Sequence, residues 1–238
     1  MGARMRSLQP GESYGNLGSV TCTRRKRRKL MPCRIVKLGG SLLDWAPLRE
    51  AVPTWLGAQP PAKTVFVVGG GDLAEALRRL DQCLALGEET SHWLCIRAMG
   101  VTARLAAALW PQVTLATQLA ELADPPGGTW VLDTEDFLRR EEPYLPGARL
   151  EHRWSVTSDS IAARVAQALG ADELVLLKSA LPPASPLACK TAAAAGYVDG
   201  FFPQASQGLP LLRAVNLRAT GFPEAVLTPE PRGATPAG

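Results

Sequence analysis

Two apolar runs end in glycine clusters, and this pairing limits the possible folds more than any other feature of the chain. RIVKL (34–38) runs into Gly39-Gly40, and TVFVV (64–68) runs into Gly69-Gly70-Gly71. Each run is short, rich in β-branched residues and without polar alternation. That is the pattern of a strand buried on both faces of a parallel sheet. Glycines at the strand end let the chain turn sharply into a helix. ELVLLK (173–178) is a further strand, and VTLA (113–116) and TWVLD (129–133) are shorter ones. Helices are expected from about Ser41, and from Asp72 as a cap with a stripe of Leu73, Leu77 and Leu80. Others are expected over about 91–109 before Pro111, over about 134–140, and over IAARVAQAL (161–169) before Gly170. Strands alternating with helices predict an α/β fold with a mostly parallel sheet covered on both faces.

The 238 residues suffice for one large α/β domain or two small ones. A hydrophobic share of 46% makes a sizeable core feasible. No apolar run reaches the roughly 18–20 residues of a membrane span. No hydrophobic signal core opens the chain, and Arg6 stands where a myristoylation signal needs Ser or Thr. The net charge of +4 is unevenly placed. Residues 1–30 hold eight basic groups against Glu12, a local +7, with RRKRRK at 24–29. The remaining 208 residues hold 18 basic and 21 acidic groups, so the domain proper carries −3. That argues against nucleic acid as the domain's partner. The aperiodic segment 1–30 is expected to be disordered, with Met31 as the native start, followed by a domain over 31–227 and a frayed Pro/Gly-rich tail over 228–238. The five cysteines are scattered and form no CxxC pair, which predicts neither a zinc site nor a disulfide framework and fits a reducing cytoplasm.

Ligands of open α/β sheets bind beyond the carboxyl ends of the strands. Glycines there expose backbone N–H groups, and a following helix start favours anions. Two such turns can hold two anionic groups near each other, although each could also be a plain tight turn. Gly69-x-Gly71-x-x-Ala74 matches the loose dinucleotide fingerprint of an oxidoreductase. It lies after the second strand, and no acid-ended strand follows at the required distance. No Walker A loop occurs. Lys37 and Lys178 each stand near the carboxyl end of a buried strand, where an ammonium is costly unless it reaches a partner, a site or solvent. Two ammoniums beside two glycine turns would make a polyphosphate site, and phosphoryl transfer needs little beyond charge neutralisation and positioning. Asp159 opens the 161–169 helix, where it suits the dipole while Thr157 or Ser158 caps. Between two ammoniums it would also hold them in place.

VKLGGSLL (36–43), VVGGGDLA (67–74), WSVTSDSIAARVA (154–166) and LVLLKS (174–179) together resemble the amino acid kinase superfamily, in order, over roughly 33–227. SHWLCIRAM (91–99) and TSDSIAA are most similar to the branch that phosphorylates an aminomethyl-furanylmethyl phosphate in methanofuran biosynthesis. The resemblance implies a three-layer αβα sandwich around a mainly parallel, roughly eight-stranded sheet. It implies ATP as phosphoryl donor, with magnesium arriving bound to ATP, no metal held by protein ligands alone, and a small anionic acceptor. Lys37 and Lys178 would stabilise the transferring group and Asp159 would orient them. Gly39, Gly40, Ser41, Ser158 and Ser179 would face the nucleotide phosphates. Gly69, Gly70 and Gly71, with His92 and Arg97, would hold the acceptor. A homo-oligomer is the family's habit.

The sequence departs from that pattern after Lys178. The family's acidic, glycine-containing loop is replaced by ALPPASPLAC (180–189), and Asp199-Gly200 comes about twenty residues on, in a later element. A binding or storage relative that has lost phosphoryl transfer therefore stands as the alternative to a kinase. Trp154 is expected to pack in the core.

Overall fold

The computed structural model describes residues 31–122 and 127–230; the basic extension and residues 231–238 of the expected tail lie outside the described residues. The elements run β1 (Cys33–Leu38), α1 (Leu48–Gly57), β2 (Lys63–Val68), α2 (Gly71–Leu84), α3 (Glu88–Leu109), β3 (Thr114–Ala116) and β4 (Thr129–Leu132). They continue with α4 (Glu135–Arg140), α5 (Ser158–Ala168), β5 (Glu173–Lys178), β6 (Leu187–Ala188), α6 (Cys189–Ala194), α7 (Phe202–Ala205), β7 (Leu212–Asn216) and β8 (Glu224–Thr228). The strands form one eight-stranded sheet in the order β3-β4-β2-β1-β5-β7-β8-β6. Every pairing is parallel except β7 with β8.

Alternation along the central strands builds a core on each face, because successive side chains point to opposite sides. Ile35, Val65, Val67, Leu174 and Leu176 pack with Ala162, Ala163, Val165 and Ala166 of α5 and with Phe137 of α4. Val36, Leu38, Phe66, Val68, Val175 and Leu177 pack with Val52 and Trp55 of α1 and Ala103 and Ala106 of α3. Helix, sheet and helix thus form three layers.

Three expected local features differ. The turn after Gly39 is a single 3-10 turn over Gly40–Leu42, and the true helix α1 begins only at Leu48. Asp72 does not cap α2: the helix starts at Gly71, and the N-cap position is Gly70 without a side-chain cap bond. The leucine stripe of α2 does not enter the core, since Leu73 and Leu80 are 46% and 48% exposed. A helix of this amphipathicity ordinarily turns its stripe inward. No helix among the described residues is long and apolar enough to cross a membrane.

Candidate functional site

Sheet register brings the two lysines together. Lys37 of β1 lies beside Leu176 of β5, and Lys178 is two residues further along the same strand. Residues two apart share a face, so both side chains rise on the α5 side at the carboxyl end of the sheet. Asp159, in the first turn of α5, meets them there. Its Oδ2 accepts a hydrogen bond from Lys178 Nζ at 2.9 Å. Its Oδ1 stands 2.9 Å from Lys37 Nζ as an ion pair without hydrogen-bond geometry.

Lys37 and Asp159 are buried, and the Lys178 side chain is 15% exposed where it meets the cavity. Burial alone would push the Asp159 carboxyl up, but the ammoniums of Lys37 and Lys178 outweigh it and hold Asp159 below its ordinary value. Burial lowers Lys178 in turn, with Asp159 opposing and Lys37 assisting. Two cations share one anion, so the cluster keeps an unbalanced positive charge that a phosphate would neutralise. An ammonium has three N–H donors. Lys178 commits one to Asp159 and one to the Tyr197 carbonyl, leaving the third for the cavity it lines.

The glycine turns meet backbone to backbone. A Cβ on Gly40 would stand 2.4 Å from the Gly71 nitrogen, and one on Gly69 would stand 2.9 Å from the Gly40 nitrogen and 3.0 Å from Ser158 Oγ. Gly71 also has φ +56°, the left-handed region that glycine adopts without strain. Side chains are excluded at this junction, so main-chain atoms of the two turns form this edge of the site. The Gly39 and Gly69 N–H groups donate to the Leu177 and Leu38 carbonyls at 2.9 Å each.

A cavity of about 420 Å³ opens over these groups. Lys37, Gly39, Gly40, Ser41, Gly69, Gly70, Gly71, His92, Ser158, Lys178 and Ser179 all line it, while Asp159 lies beneath its floor. Arg97 does not line it. Its side chain is 66% exposed and pairs with Glu135 at 3.4 Å. On α3 the cavity-facing residues are His92, Cys95, Ile96 and Met99, at helical spacing. Arg97 sits five residues past His92, roughly 140° around the helix at 3.6 residues per turn.

The remaining wall comes from residues not expected at the site. Ile96, Met99, Val156 and Ile161 supply apolar surface, and Arg78 and Arg153 supply charge. Trp154 is not core packing but part of this wall: its Nε1 donates to Asp81 at 2.9 Å, and the Arg78 guanidinium lies 4.9 Å over its ring. The apolar spacing of α3 was a usable signal for Ile96 and Met99, whereas nothing local marks Arg153 or Trp154. His92 is buried and stacks on His152 with ring centroids 4.8 Å apart. Burial, with help from His152, lowers its pKa to about 4, so it presents a neutral imidazole at pH 7.

A solved UMP kinase from Ureaplasma parvum is similar to this chain with a TM-score of 0.56 and 11% identity, over 83% of this chain and 99% of that one. The aspartate kinase from Synechocystis gives 0.52 and 16%, over 83% of this chain and 40% of that one. At such identities the likeness is one of fold. A curated relative, [5-(aminomethyl)furan-3-yl]methyl phosphate kinase of Methanocaldococcus jannaschii, is 28% identical over 151 residues. That match covers 60% of this chain and 63% of the relative, so the chain spans less than two thirds of the protein it matches. The sequence model of the amino acid kinase family matches residues 32–180, which contain both glycine turns, Asp159 and both lysines. The chain belongs to the amino acid kinase family.

Proposed function

We propose that the protein is an ATP-dependent kinase that passes the γ-phosphoryl group of MgATP to a small anionic acceptor, a furanylmethyl phosphate that becomes a diphosphate. One observation carries the reading: Asp159 is fixed between Lys37 and Lys178, 2.9 Å from each, beneath a cavity edged by two touching glycine turns. Phosphoryl transfer is mostly positioning and charge neutralisation. An acceptor phosphate oxygen is already largely ionised at pH 7, since its second pKa is about 6. It attacks the γ-phosphorus as the bond to the β–γ bridging oxygen breaks, and ADP leaves. No general base is required. Lys37 and Lys178 meet the charge on the equatorial oxygens, and Asp159 keeps both ammoniums in place. Gly39, Gly40, Ser41, Ser158 and Ser179 face the donor phosphates, and Gly69, Gly70 and Gly71 the acceptor phosphate. Magnesium, carried by ATP, would neutralise the β- and γ-oxygens.

The apolar wall of Ile96, Met99 and the Trp154 indole supports an acceptor with an aromatic ring, and the neutral His92 adds a polar contact without charge. Exposed Leu73, Leu80 and Leu84 on α2, with Val101 and Leu105 on α3, support a homo-oligomer through these helices. Light scattering is expected to give a mass of at least two chains, and a monomer at micromolar concentration would remove that part. Free thiols at Cys33, Cys83, Cys95 and Cys189 support a reducing cytoplasm.

The proline-rich turn after Lys178 favours a second reading, a non-catalytic nucleotide- or anion-binding relative. ADP release from MgATP separates the two, with aminomethyl-furanylmethyl phosphate, aspartate, acetylglutamate and UMP offered in turn. Turnover with the furan phosphate alone is expected. Turnover with another acceptor would keep the kinase and discard the furan. Stabilisation by MgATP without ADP from any acceptor would favour the binding protein.

A further inference from the structure

The segment Tyr197–Phe202 begins nineteen residues past Lys178 in the chain and folds back onto the lysine–aspartate cluster. Two contacts reach Lys178 directly. The Tyr197 carbonyl accepts a hydrogen bond from its Nζ, which also lies 4.7 Å over the Tyr197 ring. The larger anchor is Asp199. Its Oδ2 accepts from the Thr157 backbone N–H at 3.0 Å, from Thr157 Oγ1 at 2.8 Å and from the Ser160 N–H at 3.0 Å. Its Oδ1 accepts from Ser160 Oγ and from the N–H groups of Phe201 at 3.1 Å and Phe202 at 3.0 Å.

Six donors converge on one carboxylate. A carboxylate has about four lone-pair sites, so six donors saturate its accepting capacity. The two helical partners matter most. Thr157 is the N-cap residue of α5, yet its hydroxyl makes no cap bond within its own helix. It donates to Asp199 instead. The orphan N–H of Ser160 in the first turn goes to the same carboxylate. Thr157 and Ser160 flank Asp159 in sequence, so the backbone that carries Asp159 is held on both sides from a distant segment. A carboxylate at a helix start also suits the dipole.

We propose that Asp199 is a positioning residue for phosphoryl transfer: it clamps the first turn of α5 so that Asp159 keeps Lys37 and Lys178 aimed into the cavity. Asp199 does not touch the reacting atoms and does not line the cavity. The same segment supplies the Tyr197 carbonyl that orients Lys178, so one short turn fixes two of the three members of the cluster. The kinetic half of this inference rests on the proposed kinase reading, whereas its structural half does not.

The test is Asp199→Asn in the full chain, by kinetics and by crystallography. The amide keeps one acceptor oxygen and turns an NH2 group toward donors that need an acceptor. With MgATP and the furan phosphate, kcat is expected to fall roughly 100-fold while both KM values stay within about threefold, as for a small misplacement of catalytic groups. A residue needed only for folding would lower the melting temperature and leave kcat unchanged well below it. In the crystal, the Lys178–Asp159 separation is expected to exceed hydrogen-bond range. Retention of both lysine contacts at their parental distances, or a parental kcat, overturns the proposal. Should the parent itself fail to release ADP, the kinase reading fails, and the Asp199→Asn crystal structure still decides the clamp. Should Asp199→Asn not fold, Thr157→Val and Ser160→Ala each remove one donor and leave the carboxylate. Each is expected to lower kcat several-fold, and parental rates from both overturn the proposal.

Discussion

Asp159→Asn is expected to lose both turnover and stability. The substitution preserves shape but removes the anion that Lys37 and Lys178 share in their largely buried site, leaving only the more distant Asp199 to oppose the charge on Lys178. Breaking a buried ion pair by removing one partner costs about 3–5 kcal/mol, which denaturant unfolding would measure. The rate should fall roughly 100- to 1,000-fold, the loss seen when a preorganised electrostatic element is disturbed. The pH dependence has a definite sign. Lys178 is already lowered by burial, with Asp159 opposing that shift; without Asp159 it falls further. Between that lowered value and the ordinary lysine range the unfolded chain binds more protons than the folded one. Stability of the variant therefore rises with pH in that window, more steeply than in the parent. MgATP should stabilise the variant because its phosphates replace the missing charge. A variant with parental stability and parental rate would remove Asp159 from the role proposed for it.

Gly40→Ala is expected to have the largest effect on the fold of any single-methyl addition near the cavity. The new carbon would lie 2.4 Å from the Gly71 nitrogen and 2.7 Å from its Cα, both backbone atoms. Neither can retreat cheaply, because Gly71 starts α2 with φ +56°. Overpacking commonly costs about 1–3 kcal/mol where side chains can adjust, so an immovable backbone places this substitution at about 3 kcal/mol. Any ADP-forming activity should vanish even where the chain still folds, since the two turns would be forced apart. Gly57→Ala is the control. Nothing lies within 4 Å of a Cβ at that helical position, and a helical alanine there should stabilise by about 0.5–1 kcal/mol. Melting curves of the two variants separate a steric conflict from a general intolerance of alanine. A parental melting temperature for Gly40→Ala would mean that the turns do not touch.

The site was legible where the chemistry is local and strand-bound. RIVKL and ELVLLK announce buried strands, and a lysine near the end of each points to one sheet edge. Both strands are central and adjacent, which only the topology shows. Asp159 was legible as a helix starter because acids favour that turn. Its ion pairs depend on register between β1 and β5, which local pattern does not encode. Arg97 was misplaced because spacing along α3 says which residues share a face but not which face meets the cavity. Asp199 was illegible for another reason. Its six donors come from segments some forty residues apart and from its own turn, and no period or spacing records that meeting. The leucines of α2 show the converse: their periodicity is clear, yet the face they mark stays open in the single chain. Past residue 180 the signals are faint, since β6 has two residues and α7 four.

The contact between Gly40 and Gly71 has a consequence for how such a protein could change. The gap between the two gripping turns is set by main-chain atoms at their closest approach. It works as a fixed gauge, indifferent to rotamers and to the identity of neighbouring side chains. For a phosphoryl-transfer site, reach and selectivity are then separate inheritances. If the proposed kinase reading holds, repainting Ile96, Met99 and Trp154 would admit a differently shaped acceptor, while the distance the phosphoryl group travels stays as it was.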